Sequence, residues 1–181
     1  MGQLPTLIAA IVLRQTQYDK LKFDERLEHQ LGPPAKPAEI ESLGRRLGAE
    51  LPLDYRQFLA LNDGWCDFDG DGKLLATTDH TQAWVQERVA EWCSIWDPDA
   101  DNPLANGALP VMIGESKNSF LVLDPRSTGA NGGCVFALYD FMVLEETFQS
   151  FTAYLQRRLE ILDTLVARET LGDHDEASND P

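Results

Sequence analysis

The sequence predicts an α+β fold: a mostly antiparallel, twisted sheet of about four to six strands, with an N-terminal helical hairpin and a closing C-terminal helix packed around it. Three observations carry this. Residues 34–65 read as two short helices with their start and stop residues in place. Residues 109–139 hold three short apolar runs rich in β-branched and aromatic residues, separated by polar turn-forming links. From Glu145 onward the apolar residues return to helical spacing.

Bulk composition narrows the functional classes. A chain of 181 residues fits one domain with decorated ends and can bury a sizeable core. We divide it into an N-terminal helical extension (1–31), a main domain (32–166) and an acidic flexible tail (167–181). Thirty acidic against fifteen basic residues give a net charge of −15. Direct binding to nucleic acid needs a basic patch that neutralises phosphates, so this balance argues against it and favours basic partners. Cys66, Cys93 and Cys134 are odd in number and lack CxxC spacing, which fits a reducing, cytoplasmic compartment rather than a disulfide framework. His29, His80 and His174 are scattered, so spacing suggests neither a zinc site nor a Cys–His catalytic pair, and no cofactor is expected.

The apolar run at residues 4–13 is too short for a membrane span and lacks the flanks of a signal peptide. Leu4, Ile8, Ile11, Tyr18 and Leu21 mark instead an amphipathic helix that docks on the domain, with 20–30 either continuing it or forming a second piece.

The hairpin follows. Pro37 suits a helix's first turn, where its missing N–H is no loss. Ile40, Leu43 and Leu47 form one apolar stripe, and Gly48 stands where a helix ends in a left-handed conformation. A four-residue link, Ala49 to Pro52, starts a second helix, again with proline at its first turn, whose Tyr55, Phe58, Leu59 and Asn62 repeat at helical spacing before Gly64.

Next come Asp67, Asp69 and Asp71 with Gly72, which reproduce the opening half of an EF-hand loop. The twelfth position, where a bidentate Glu closes such a loop, is Thr78. An acidic turn is therefore the stronger reading and calcium at Asp67, Asp69 and Asp71 the weaker. Thr78-Asp79 caps a helix over 80–96 with Val85, Val89, Trp92 and Trp96 as its stripe and Trp84 off it. Asp97, Asp99 and Asp101 form a second acidic triplet beyond that helix.

The strands fall at 109–114, 119–123 and 134–139, with a short fourth at 142–144. The last helix, 145 to about 166, buries Phe148, Phe151, Leu155, Leu159 and Leu162, leaving Arg157 and Arg158 on a solvated face.

Glu39-Ile40, Leu47-Gly48, Leu51-Pro52-x-x-Tyr55-x-x-Phe58-Leu59 and Asn62-Asp63-Gly64-Trp65 together resemble the SUKH superfamily, named after fungal cell-wall-assembly regulators and containing many bacterial immunity proteins of toxin systems. Gly44 departs from the pattern, since the family often carries glutamate there. The resemblance implies a non-enzymatic, protein-binding module, most simply an immunity protein that neutralises a cognate toxin by direct binding in the cytoplasm. Such a toxin could be a nuclease with a basic cleft. The residues expected to meet the partner are Trp65, Asp67, Phe68, Asp69 and Asp71, with Asp97, Asp99 and Asp101 as a second patch. The alternatives are a regulatory scaffold or, less favoured, a calcium-binding or carboxylate-based hydrolase.

Overall fold

The computed structural model describes residues 3–23, 29–69, 72–95, 102–114, 119–126, 134–139 and 143–176. In chain order the elements are α1 (Gln3–Phe23), α2 (Pro37–Leu47), α3 (Leu53–Leu61), β1 (Trp65–Asp69), β2 (Gly72–Leu74), a 3-10 turn (Asp79–Thr81), α4 (Ala83–Ile95), β3 (Leu109–Gly114), β4 (Phe120–Asp124), β5 (Cys134–Tyr139), β6 (Val143–Phe148) and α5 (Phe151–Glu176). The chain divides into two compact units: Met1–His29 with Thr152–Pro181, and Gln30–Phe151.

Within Gln30–Phe151, α2 and α3 form the expected hairpin. Glu39 reaches back to accept the Lys36 backbone N–H at 2.7 Å, satisfying a donor that the helix start leaves orphaned. Gly48 ends α2 at φ +67°, in the left-handed region that costs an L side chain energy. Tyr55 and Phe58 of α3 are buried with Phe151, whose ring centroid lies 5.1 Å from each of theirs. Each such aromatic burial contributes about 2–3 kcal/mol.

The sheet is an antiparallel meander in the order β1-β2-β3-β4-β5-β6, so both the fold class and the strand number agree with the sequence reading. Phe120, Leu121, Val122 and Leu123 of β4 are all buried. Successive side chains of a strand point to opposite faces, so β4 is covered on both sides. On one face Phe120, Val122 and Ile113 pack with Val85 and Trp92 of α4, and the Trp92 and Phe120 rings stand 4.3 Å apart. The β3–β4 register shifts between Pro110 and Met112, at the residue that has no N–H to give the ladder.

Several local expectations need correction. Residues 145–148 belong to β6, where Phe148 pairs with Val135 and Thr147 with Phe136, and α5 begins only at Phe151. Pairing along β5 outweighs the local helical preference of two glutamates. The helix then continues to Glu176, well past the expected end. Thr78 and Asp79 do not cap α4: a 3-10 turn intervenes, and the Asp79 carboxylate accepts the Ala76 N–H at 2.8 Å instead. Trp96 lies outside the described residues.

In the other unit α1 is one continuous helix to Phe23. Its buried stripe is Leu4, Leu7, Ile8, Ile11, Gln15 and Asp19, whereas Tyr18 is half-buried and Leu21 exposed. Two polar residues hold the stripe's far end because each has a buried partner. The Arg158 guanidinium donates to Gln15 Oε1 at 3.1 Å, and His29 Nε2 lies 3.0 Å from Asp19 Oδ2. Arg158 is thus buried rather than solvated, while Arg157 is exposed as expected. Arg14–Asp163 at 2.6 Å and Lys22–Glu169 at 3.4 Å complete the seam. Among the described residues no helix is long and apolar enough to cross a membrane.

Candidate functional site

The site is positioned by the turn between α3 and β1. Asp63 Oδ1 accepts the Thr77 N–H at 2.6 Å and Oδ2 accepts the Thr77 hydroxyl at 2.9 Å. Arg46 donates to the Thr77 carbonyl at 3.1 Å. On the other side the chain at Gly32 passes over this turn: Gly32 N–H donates to the Gly64 carbonyl at 2.9 Å, and Asp63 N–H donates to the Pro33 carbonyl at 2.8 Å. The approach is so close that a Cβ on Gly32 would lie 2.0 Å from the Asp63 carbonyl oxygen. Backbone on both flanks therefore fixes where β1 starts.

Burial and nearby charge are visible in two side chains beside this turn. Burial foremost, then the carboxylates of Asp63 and Asp79, raises the Tyr55 phenol far above its ordinary range, so it stays neutral. Its hydroxyl finds no hydrogen-bond partner among the described residues. Burial, reinforced by the Arg46 guanidinium and opposed by Asp79, lowers the His80 imidazole to about 4.

β1 then carries a bulge. Its pairing with β2 shifts register between Trp65 and Asp69, and Asp67 sits at φ +55°, a conformation aspartate tolerates better than most residues. In a regular strand Trp65 and Phe68 would face opposite ways. With the bulge both turn inward, 1% and 0% exposed, with ring centroids 5.0 Å apart, and Asp67 turns out to solvent. The two aromatic residues present no surface here; they anchor the strand that displays Asp67.

Across the hairpin, Lys73 of β2 places its ammonium 2.8 Å from Asp79 Oδ2 and 5.7 Å from the centre of the Trp84 ring. Trp84 stands in the first turn of α4 and is 42% exposed, as its position off the buried stripe predicts. Arg88, one turn later, pairs with Glu91 at 3.1 Å. Asp67, Lys73, Trp84 and Arg88 line an open groove of about 370 Å³ between the β1–β2 hairpin, the end of β3 and α4.

Two other clefts offer less chemistry. The larger, about 520 Å³ between α2 and α3, is lined by Ile40, Gly44 and Leu51, and its rim charges are paired as Arg56–Glu50 at 2.7 Å and Arg45–Glu41 at 3.8 Å. The other, about 360 Å³, is mostly apolar around neutral His80.

Of the residues singled out in the sequence, the structure places Trp65, Asp67 and Phe68 on one bulged strand. Asp69 pairs through its backbone with Gly72. Asp71, Asp97, Asp99 and Asp101 lie outside the described residues. Strands, rather than two helices, flank the acidic turn, and among the described residues no three His, Cys, Asp or Glu side chains gather as a metal site. Sequence reasoning missed Lys73, Trp84 and Arg88 as groove residues. The i, i+4 spacing of Trp84 and Arg88 off the buried stripe was the available signal.

A search among curated proteins finds no match. The sequence model of the SMI1 / KNR4 family (SUKH-1), however, matches residues 34–157, from the start of the hairpin into the last helix. That span covers the strapped turn, the bulged strand and the groove beside it, and it is well over half of the sequence. The chain belongs to the SMI1 / KNR4 family (SUKH-1).

Proposed function

We propose that this chain is a non-enzymatic binding module, an immunity protein that neutralises a cognate bacterial toxin in the cytoplasm by direct contact. The observation that carries the reading is the groove beside the β1–β2 hairpin, where an exposed carboxylate, Asp67, and an exposed indole, Trp84, line one opening. Interfaces of this kind draw most of their energy from a few aromatic or charged anchors in a pocket. Membership of a family whose resemblance brought immunity proteins into view supports the same reading, as does a net charge of −15, which steers basic partners toward the molecule.

In this reading Asp67, with Asp69 and Asp71 of the hairpin and Asp97, Asp99 and Asp101 beyond α4, forms an acidic rim. That rim stands in for a phosphate backbone before a basic cleft such as a nuclease's. Trp65 and Phe68 contribute by holding the hairpin in place. The partner is a protein, bound without cofactor, metal or nucleic acid.

The test is co-expression with the product of a toxin gene that neighbours this one. The expected result is a complex of fixed stoichiometry and rescue of growth. A neighbouring toxin that is neither bound nor neutralised overturns the proposal.

A further inference from the structure

Resting on that reading of the chain as a protein-binding module, we infer that the Asp67–Trp84 groove is a receptor for one basic side chain of the partner, an arginine laid on the indole with its charge at Asp67. The argument is a balance of charges inside the groove. Three charged residues line it, Asp67, Lys73 and Arg88, yet two are already matched. Lys73 pairs with Asp79 at 2.8 Å, and Arg88 pairs with Glu91 at 3.1 Å. Asp67 forms no ion pair or hydrogen bond among the described residues. The unmatched charge is negative.

The indole points to the same ligand. Lys73 Nζ already lies 5.7 Å from the Trp84 ring centre, so this ring accepts a cation in this setting. Lys73 is tethered by Asp79 and covers only part of the ring, since Trp84 remains 42% exposed. A planar guanidinium stacks on the open remainder and still presents N–H donors to a carboxylate, which an ammonium does less well. A glutamate or aspartate side chain in the same place would set its charge against Asp67. The bulge matters as well: it turns Asp67 outward while the buried Trp65 and Phe68 fix it, so the acceptor is pre-positioned.

The test uses the full chain and three blocked tripeptides whose central residue is arginine, citrulline or glutamate. Binding is read from the indole N–H resonance of Trp84, assigned as the peak missing from Trp84→Phe. The arginine peptide should shift that resonance with a Kd on the order of millimolar, weakening with added salt. Citrulline, which keeps the shape and loses the charge, and glutamate should bind about tenfold more weakly or not at all. Asp67→Asn should abolish the preference for arginine over citrulline, since asparagine fits a positive φ and leaves the strand intact.

Equal shifts from all three peptides, or no shift at Trp84 with arginine, overturn the inference. Arginine binding by a chain that fails to bind its neighbouring toxin would leave this inference standing and remove the immunity reading. Toxin neutralisation by a chain that ignores arginine would do the reverse.

Discussion

Two aspartates four residues apart carry opposite duties. Asp63 is saturated: both of its oxygens accept from Thr77, and its backbone N–H donates to Pro33. Asp67 stands on a bulge, exposed and unmatched among the described residues. The first ties the α3–β1 turn to the loop after β2, and the second faces outward from the strand that this tie positions. A carboxylate already satisfied by its own chain stabilises the fold and has little left to give a partner; an unsatisfied one contributes little to stability and is free to bind. The contrast separates scaffold from surface within one short stretch.

The largest effect is expected where the strap meets the turn. Gly32→Ala would place a Cβ 2.0 Å from the Asp63 carbonyl oxygen, a clash with backbone that no rotamer relieves. The loss should be about 3 kcal/mol or more, read as a lowered urea midpoint. A near-native midpoint would mean the turn is not fixed from that side. Asp63→Ala strands two donors of Thr77 and should cost about 2–4 kcal/mol. Asp67→Asn, by contrast, keeps a residue that tolerates the positive φ and should stay within about 0.5 kcal/mol of the parent. Equal losses at the two positions would erase the distinction between them.

The loop that Asp63 holds also carries a pH signature. Because the folded His80 pKa is about 4, below the ordinary 6.5, the unfolded chain takes up this proton first as pH falls. His80's contribution is therefore intact above about pH 6.5, declines as pH drops from there to about 4, and is then lost, a change of roughly 2–3 kcal/mol. Measured at pH 7 and pH 4, the parent should lose that much more stability than His80→Leu. Identical pH profiles would place His80 in water. The smallest change is Tyr55→Phe. Removing a hydroxyl that is buried without a partner should leave stability unchanged or raise it by up to about 1 kcal/mol. A clear loss would reveal a partner for the phenol.

The scaffold side of this contrast was the more legible in sequence. The α2–α3 hairpin announces itself through Pro37, Gly48 and Pro52, because helix ends are set by local backbone chemistry. The strands at Leu109–Gly114 and Phe120–Asp124 are as plain, since side chains buried on both faces leave an unbroken apolar run. Where distant pairing decides, local pattern misleads. Phe148 fits a helical stripe with Phe151, yet its segment pairs with β5. Arg158 reads as solvated, yet its partner Gln15 is 143 residues away.

The site was half legible. The motif around Trp65 and Asp67 drew attention to the right strand, but a strand's alternation predicts the wrong side chains outward unless the bulge is known. Lys73, Trp84 and Arg88 join Asp67 only through the fold, from another strand and from a helix. Their pairing with Asp79 and Glu91, which leaves Asp67 as the uncompensated charge, has no trace in composition.

One comparison bears most directly on the division between scaffold and surface. The parent chain and the Asp67→Asn/Trp84→Ala double variant would each be co-expressed with the toxin proposed as the partner, alongside thermal unfolding of each chain alone. The variant should unfold at essentially the parent's temperature and hold the toxin at least about tenfold more weakly. A variant that keeps its fold and binds the toxin undiminished would contradict the assignment of this groove.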